Sequence, residues 1–397
     1  MANRVYFANQ QVAFKPDGTM GAGGHYKAAH GVQSVAVTTT FSLEQAFELG
    51  QLAIYENIEG VPDIEVTCSK VLDGYPLLYH LATHSSVGVG ANEEKSPTLA
   101  GRSNRNCVVS LGVWPDTVDA ATGAPQQHME ASGMFCSSVS YNFPLEDNFS
   151  EDITLVGNNK AWAAEGEGAT QAVGCATPGW ALDTHTDGAF NSEVADEPIG
   201  TGGINRRENL AFNATTAANA GGTAYTRLPT EIPGVDSNGW MNPRNPDNFA
   251  HLQSISVSTD LGREELFELG TKQPYARVVT FPVEVTCDIE VLSLSGDLVN
   301  ALADGCSTSD DPCAVGGVVD NLSNQTIRVA TCEGTRIYLG TKNKLASINY
   351  GGGDAGGGNV TVTYSYTTFN DFTVLHPQDP DISGADWWTK QSRWLGG

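Results

Sequence analysis

The chain has 397 residues, 40% of them hydrophobic, with 46 acidic against 21 basic side chains and a formal charge of −25. That length allows two or three domains with cores of their own. The charge excludes tight binding to a phosphate backbone, which needs clustered Lys and Arg, and no run of eighteen apolar residues exists to form a membrane-spanning helix. The N-terminal MANRVYFANQQVAFKPDG has no apolar signal core, so reduced thiols are expected for the eight Cys. The acidity suits solubility, or a surface that stays near nucleic acid without holding it, and composition leaves both open.

In chain order, the first element is an alternating strand. Val32, Ser34, Ala36 and Thr38 face one way, Gln33, Val35, Val37 and Thr39 the other, and the Val35–Val37 face is the one to bury. A short helix is predicted next. Ser42 and Gln45 form a capping box, Leu43, Ala46 and Phe47 an apolar stripe, and Gly50 the C-terminal stop. Then follow a Pro-led strand from Pro62 to Val66, an apolar segment from Leu72 to Ala82, and strands at Cys107–Val113 and Ser138–Phe143.

Residues 158–250 differ, being rich in Gly, Ala, Asn and Thr. A structureless linker of that length inside a compact domain is uncommon. Trp162, Trp180 and Trp240, with the loop around Arg206 and Arg207, point to an insertion that is ordered or becomes ordered on binding.

After it, the chain repeats itself. Residues 252–270, LQSISVSTDLGREELFELG, match residues 32–50, VQSVAVTTTFSLEQAFELG, at nine of nineteen positions with a constant offset of 220. Val61-Pro62 answers Phe281-Pro282, and Glu65–Cys68 answers Glu284–Cys287 after a one-residue slip. An ordered repeat of this length means two copies of one structural unit. The second copy predicts a strand burying Ile255 and Val257, a helix capped at Gly262 and ended by Gly270, and a strand from Pro282 to Val285. A second short helix is expected near Leu298 and Leu302, and strands at Thr326–Val329 and Arg336–Leu339. The run from Gly351 to Gly358 reads as a hairpin tip leading into an alternating strand from Val360 to Phe369, whose counterpart is taken to be Ser138–Phe143. From Pro377 an aromatic arm bearing Trp387, Trp388 and Trp394 docks on its own chain or on a neighbour.

No motif carries chemistry. Gly-x-Ser-x-Gly and the phosphate-binding GxxxxGK[ST] are absent, so the expectation is not an enzyme, with no cofactor. His80 and His84 lack a third ligand, and Asp304 with Asp310 and Asp311 lacks calcium-loop spacing, so no metal is expected. Cys306 and Cys313 have the spacing for a loop disulfide, while Cys68 and Cys287 read as small buried strand residues.

The repeated block (Gln-Ser strand, Glu-x-x-Phe-Glu-Leu-Gly, Pro-led strand ending Glu-Val-Thr-Cys) resembles the tail tube proteins of tailed bacteriophages, over about two-thirds of the chain. The closing segment Val362–Phe372 is similar as well. The resemblance implies a mainly β (α+β) fold. It would hold two tandem antiparallel β-sandwich or partial-barrel tube domains with one or two short helices each, plus an inserted loop-rich region. The divisions are 1–157 with an N-terminal arm, the insertion 158–250, 251–376, and the arm 377–397. Members form hexameric rings that stack into a hollow conduit for DNA, so a chain with two fused domains implies a homotrimeric, pseudo-hexameric ring.

The implied partners are further copies of the chain, other tail proteins such as sheath, terminator or baseplate, and genomic DNA passing through the lumen without specific binding, with no membrane. The implied location is the virion tail, assembled in the host cytoplasm. The residues shared by the copies carry repeat packing or assembly: Gln33, Ser34, Glu44 and Phe47-Glu48-Leu49-Gly50, with Gln253, Ser254, Glu264 and Phe267-Glu268-Leu269-Gly270. Arg206, Arg207, Trp387, Trp388 and Trp394 are candidate contacts between subunits or rings. The alternatives are a hub, baseplate or tail-completion protein built from tandem tube domains, and, from the exposed-aromatic signal, a carbohydrate-binding adhesive β-protein.

Overall fold

Two four-stranded antiparallel sheets, one from each repeat, join edge to edge in the computed structural model. It describes residues 4–16, 106–120, 125–164, 203–210 and 251–292, and, with short breaks, 27–83 and 324–375. In the first repeat the order is β3 (Val32–Thr40), β6 (Asp63–Val71), β9 (Ser150–Gly157) and the C-terminal half of β8 (Gln127–Pro144). In the second it is β11 (His251–Asp260), β14 (Glu284–Leu292), β18 (Thr361–Phe369) and β17 (Lys344–Gly351).

A second layer extends from the N-terminal half of β8. It pairs with β10 (Asn159–Ala164) on one side and β7 (Asn106–Val113) on the other, and β7 continues to β1 (Gln10–Pro16) and β2 (Lys27–Ala28). Its match in the second repeat is the sheet β15 (Arg328–Ala330), β16 (Arg336–Tyr338) and β19 (Thr373–Leu375). Each repeat also sends out a two-stranded arm. One is β4 (Leu43–Phe47) with β5 (Ile54–Glu59); the other is β12 (Arg263–Leu266) with β13 (Ala276–Val279). The fold is thus mainly β and antiparallel, as expected.

The arms correct the sequence reading, which placed helices over 42–50 and 262–270. Leu43, Ala46 and Phe47 do fall on a helical stripe, but Leu43, Gln45 and Phe47 equally fit a strand's period of two. A segment this short cannot hold a helix by itself. Pairing with Ile54–Glu59 satisfies the backbone instead. Gly50 (φ 94°) and Gly270 (φ 96°) are left-handed as predicted, but they close hairpin turns. The helix that is described, α1 (Leu78–Thr83), lies in the apolar segment after β6. The segment around Leu298 and Leu302 lies outside the described residues.

A second correction concerns the closing strands. The sheet continues from β6 to β9 in the first repeat and from β14 to β18 in the second, so β18 corresponds to β9 rather than to Ser138–Phe143. The stretch Ser138–Phe143 belongs to β8, whose counterpart is β17. The two were confused because both alternate Ser or Thr with aromatics, and only strand pairing separates them.

One hydrophobic core runs through both repeats, from Phe14, Met129 and Tyr141 to Ile289, Tyr366 and Phe372. Phe372 crosses the divide, with its ring 6.0 Å from Tyr79 and 6.5 Å from Tyr141. Cys68 and Cys287 are both buried, as expected, but Cys68 pairs with Val35 and Cys287 with Val257, so the two stand two residues out of step. No helix among the described residues is long and apolar enough to cross a membrane.

Candidate assembly interface

The repeats meet where β8 pairs with β11. Seven residue pairs, from Ser138↔Asp260 to Pro144↔Ser254, make one sheet of the two. The hydrogen bonds go on past the strand, with the Leu261 amide donating to the Ser137 carbonyl at 2.7 Å and Arg263 Nε to the Cys136 carbonyl at 2.7 Å. The Arg263 guanidinium lies over the Phe135 ring, and burial lowers its pKa to about 10, still charged at neutral pH.

The β12–β13 arm then folds onto the first repeat. Arg277, 8% exposed, pairs with Asp63 at the start of β6 (2.9 Å) and with Glu265 beside it on the arm. Asn158, after β9, accepts from Arg277 Nε and donates to the Pro62 carbonyl and to Glu265. Charge-assisted bonds are stronger than neutral ones, and this clasp ties the second arm to the first repeat.

Among the described residues each end of the composite sheet is an unpaired edge, β3 at one end and β17 at the other. The residues there are those that the internal joint buries elsewhere. Ile255 and Val257 of β11 are buried, whereas Val35 and Val37 of β3 are only half-buried. Leu261 is 0% exposed and its counterpart Phe41 is 70% exposed. On the opposite edge, Tyr141 is 0% exposed and its counterpart Tyr350 is 46% exposed.

Transferring the register of the internal joint sets Val37 opposite Tyr350, Thr39 opposite Ile348, and Thr40 opposite Ser347. The two edges of one molecule therefore match in pattern, with Val37, Ile348 and Tyr350 on the core side and Thr38, Thr40, Ser347 and Asn349 on the other. Exposed edge strands with apolar side chains need cover.

The open face of the composite sheet is mainly polar, interrupted by Ala36, Val156 and Phe369. Ser, Thr and Asn alternate outward on every strand: Ser34 and Thr38, Thr67 and Ser69, Ser138 and Ser140, Ser256 and Ser258, Thr363 and Ser365. Carboxylates stud it: Asp63 and Glu65 on β6, Asp152 on β9, Asp260 on β11, and Glu284, Asp288 and Glu290 on β14. Among the described residues of this face Lys344, at the far end of β17, is the basic one. A trough of about 610 Å³ crosses the joint, lined by Ser34, Ser69, Ser140, Asp152, Asp260 and Glu284. Such a surface repels a polyanion and gives it few fixed donors. No cluster suited to a metal ion occurs among the described residues.

The residues singled out from the repeat divide between two places. Ser34 and Ser254 stand on the open face of β3 and β11, while Gln33 and Gln253 sit at irregularities in strand register and bond to nearby carbonyls of Gly31 and His251. Glu44 and Glu264 lie on the arms. Phe47, Leu49, Phe267 and Leu269 are exposed at the arm tips, Leu49 and Leu269 wholly so, with Glu48, Glu268, Gly50 and Gly270 beside them. Helix packing does not hold these residues; they project outward.

Arg206 bonds to Asn148 at 2.9 Å and Arg207 is exposed beside it, on a short segment that Asn205 ties to Leu72 and Phe149. Trp387, Trp388 and Trp394 lie outside the described residues, as do His84, Asp304, Asp310, Asp311, Cys306 and Cys313. Sequence reading missed the Arg277–Asp63–Asn158 clasp, because it joins residues more than a hundred positions apart.

No protein-family model and no curated protein matches the chain. Solved structures do match in part. The tube-terminating cap of the anti-feeding prophage is 12% identical, with a TM-score of 0.28, over 41% of this chain and 93% of that one. The sheath–tube complex of the PVC extracellular contractile injection system, in its extended state, is 12% identical, with a TM-score of 0.26 over 41% and 93%. The baseplate of the anti-feeding prophage is 9% identical, with a TM-score of 0.28 over 42% and 100%. Likenesses this distant carry no argument about what this chain does, which rests on the geometry above.

Proposed function

We propose that the protein is a structural subunit of a phage-type tail tube. Three copies close into a pseudo-hexameric ring by pairing β3 of one with β17 of the next, and the polar face lines the lumen. The observation that carries this reading is the internal β8–β11 joint. It is a working example, within one chain, of how repeat follows repeat, and the chain's two free edges are the matching halves of one more such joint. A head-to-tail interface of this kind closes into a ring when its rotation suits. With six equivalent repeats, three charged clasps lie within chains and three open joints between them.

The reading extends to stacking of rings, to further tail proteins as partners, to DNA transit through an acidic hydroxyl-lined channel, and to a place in a virion-like tail. An enzymatic role is not part of it.

Electron microscopy of the purified protein tests it. The expected image is a hollow ring or stack with three copies per ring. A protein that stays monomeric at every concentration and salt level overturns it. A variant sharpens the test: Ile348→Lys places a charge on the core side of the β17 edge, and it should block ring formation while leaving the monomer folded by circular dichroism.

A further inference from the structure

We propose that an ion pair selects the partners at the open joint: Glu59, at the base of the β4–β5 arm of one copy, with Lys344, at the start of β17 of the next. The inference rests on the ring reading above and adds what makes β3 of one copy choose β17 of another.

The template is the joint within the chain. Both arms leave the sheet in the same way. The Gly60 amide donates to the Ser42 carbonyl at 2.7 Å in the first arm, and the Thr280 amide to the Gly262 carbonyl at 3.3 Å in the second. Leu43↔Glu59 therefore stands where Arg263↔Val279 does, and Gln45↔Asn57 where Glu265↔Arg277 does. On the receiving side, β8 and β17 carry the same irregularity in register, between Cys136 and Ser138 and between Leu345 and Ser347. Counting from it, Lys344 takes the place of Phe135.

Within the chain, Arg263 reaches from the arm to β8, with its guanidinium carbon 5.2 Å from the centre of the Phe135 ring. Val279, beside it on the arm, is buried. At the open joint the cation has changed sides. Lys344 stands on the receiving sheet in the place of the ring, and the arm presents Leu43 with Glu59. Directly paired residues of an antiparallel ladder stand about 4.5–5.5 Å apart at Cβ. An arm seated by Leu43 over Lys344 therefore holds Glu59 within reach of the long lysine side chain, while Leu43 covers its stem. Glu59 and Lys344 are both exposed in the single chain.

The other charged groups agree with this arrangement. Glu284 takes the place of Asp63 and meets the amide donors of Gln45 and Asn57. Glu44 and Glu56 stand on the opposite face of the arm, paired with Ile58 and Ala46. Lys342, exposed two residues before Lys344, adds positive charge at the same end of the edge. On a chain of net charge −25 this is a place that draws in an acidic arm. Two β17 edges brought together set lysine against lysine, and two β3 edges bring acidic arms with no cation to meet them. Complementary charge of this kind decides which edge pairs with which more than how tightly.

Charge exchange tests the pair. Lys344→Glu should raise the concentration for half-assembly, followed by sedimentation velocity, by roughly two- to fivefold for each joint at low salt, the scale of an exposed ion pair. Adding Glu59→Lys to it should restore assembly. Adding Glu56→Lys instead gives the same net charge with the lysine on the other face of the arm, and should not. The differences should fade near about 0.5 M salt. No loss in Lys344→Glu, or equal rescue by the two lysines, overturns the pair. The edge itself is read separately, by mixing a Thr40→Cys batch with a Ser347→Cys batch and adding a short bis-maleimide, with unsubstituted protein as background. A dimer band in the mixture, absent from each batch alone, is expected. That band without rescue by Glu59→Lys overturns the pair and leaves the ring standing; absence of the band overturns the ring reading and the pair together.

Discussion

Glu151 is fully buried, yet it accepts hydrogen bonds from the Leu78 amide (2.6 Å), the Tyr79 amide (3.0 Å) and the Tyr141 hydroxyl (2.8 Å), which ties β9 to the start of α1. Nearby, buried Lys70 bonds to Asp73 at 2.5 Å, and Asp73 also takes His30, whose ring stacks on Tyr75. In the second repeat the matching positions of Lys70 and Glu151 are Val291 and Val362, while Tyr141 answers Tyr350, so the buried charges of this cluster belong to the first repeat alone. Burial pushes the Glu151 carboxyl up, outweighing the hydrogen bonds and the Lys70 charge that pull it down. A carboxyl raised in the folded state contributes stability that is complete below its unfolded value, about 4.3, and lost as pH rises through its folded value. Glu151→Gln removes that titration and sets an N–H donor against amide donors. It should destabilise the fold by about 1–3 kcal/mol, and thermal melts across pH should show the gap between the two proteins widest in acid. A gap that grows as pH rises runs against this account.

Cysteine reactivity is a second matter at the residue scale. Burial pushes the Cys68 and Cys136 thiols up to about 12, with the Glu151 charge adding to the rise, and raises Cys287 as well. The thiolate is the reactive form. Alkylation at pH 8 followed by peptide mass spectrometry should leave these three unmodified in the native protein and label them after denaturation.

At the scale of elements, the arms are where pattern reading failed, and the reason is physical. An i, i+3, i+4 stripe has meaning when a core lies beside it; on a projecting hairpin the same apolar residues are held for another surface. The glycine signals survived because a left-handed residue ends a helix and turns a hairpin alike. The second arm's clasp can be tested by itself. Arg277→Ala leaves Asp63, Glu265 and Asn158 without their shared donor and should cost about 1.5–3 kcal/mol. The loss, followed by urea unfolding, should shrink in high salt, because Asp63 is 67% exposed.

At the scale of the molecule, the alternation of Ser and Thr with Val, Ile and Tyr becomes a sheet with one packed and one wet side, and the acids gather on the wet side. If that side lines a channel, its charge governs transit. Glu284→Lys with Asp288→Lys should let assembled protein retain short duplex DNA that the unsubstituted assembly does not. The retention should fall with salt, with a log–log slope of about −0.9 for each phosphate engaged. Filter binding at two salt concentrations measures both.

The sequence by itself determined the duplication, the mainly β class, most strands of the composite sheet (not β9 or β17) and the buried faces of β3 and β11, because period-two alternation and a fixed offset are local properties. It placed Cys68 and Cys287 in the core and the glycine-rich tip between β17 and β18. Tertiary structure decided which strand answers which across the repeats, that the arms are hairpins, that Arg277 reaches Asp63, and that β3 and β17 are edges among the described residues. Those depend on pairing between residues far apart in the chain, and a short apolar segment takes the backbone form that its distant partner stabilises.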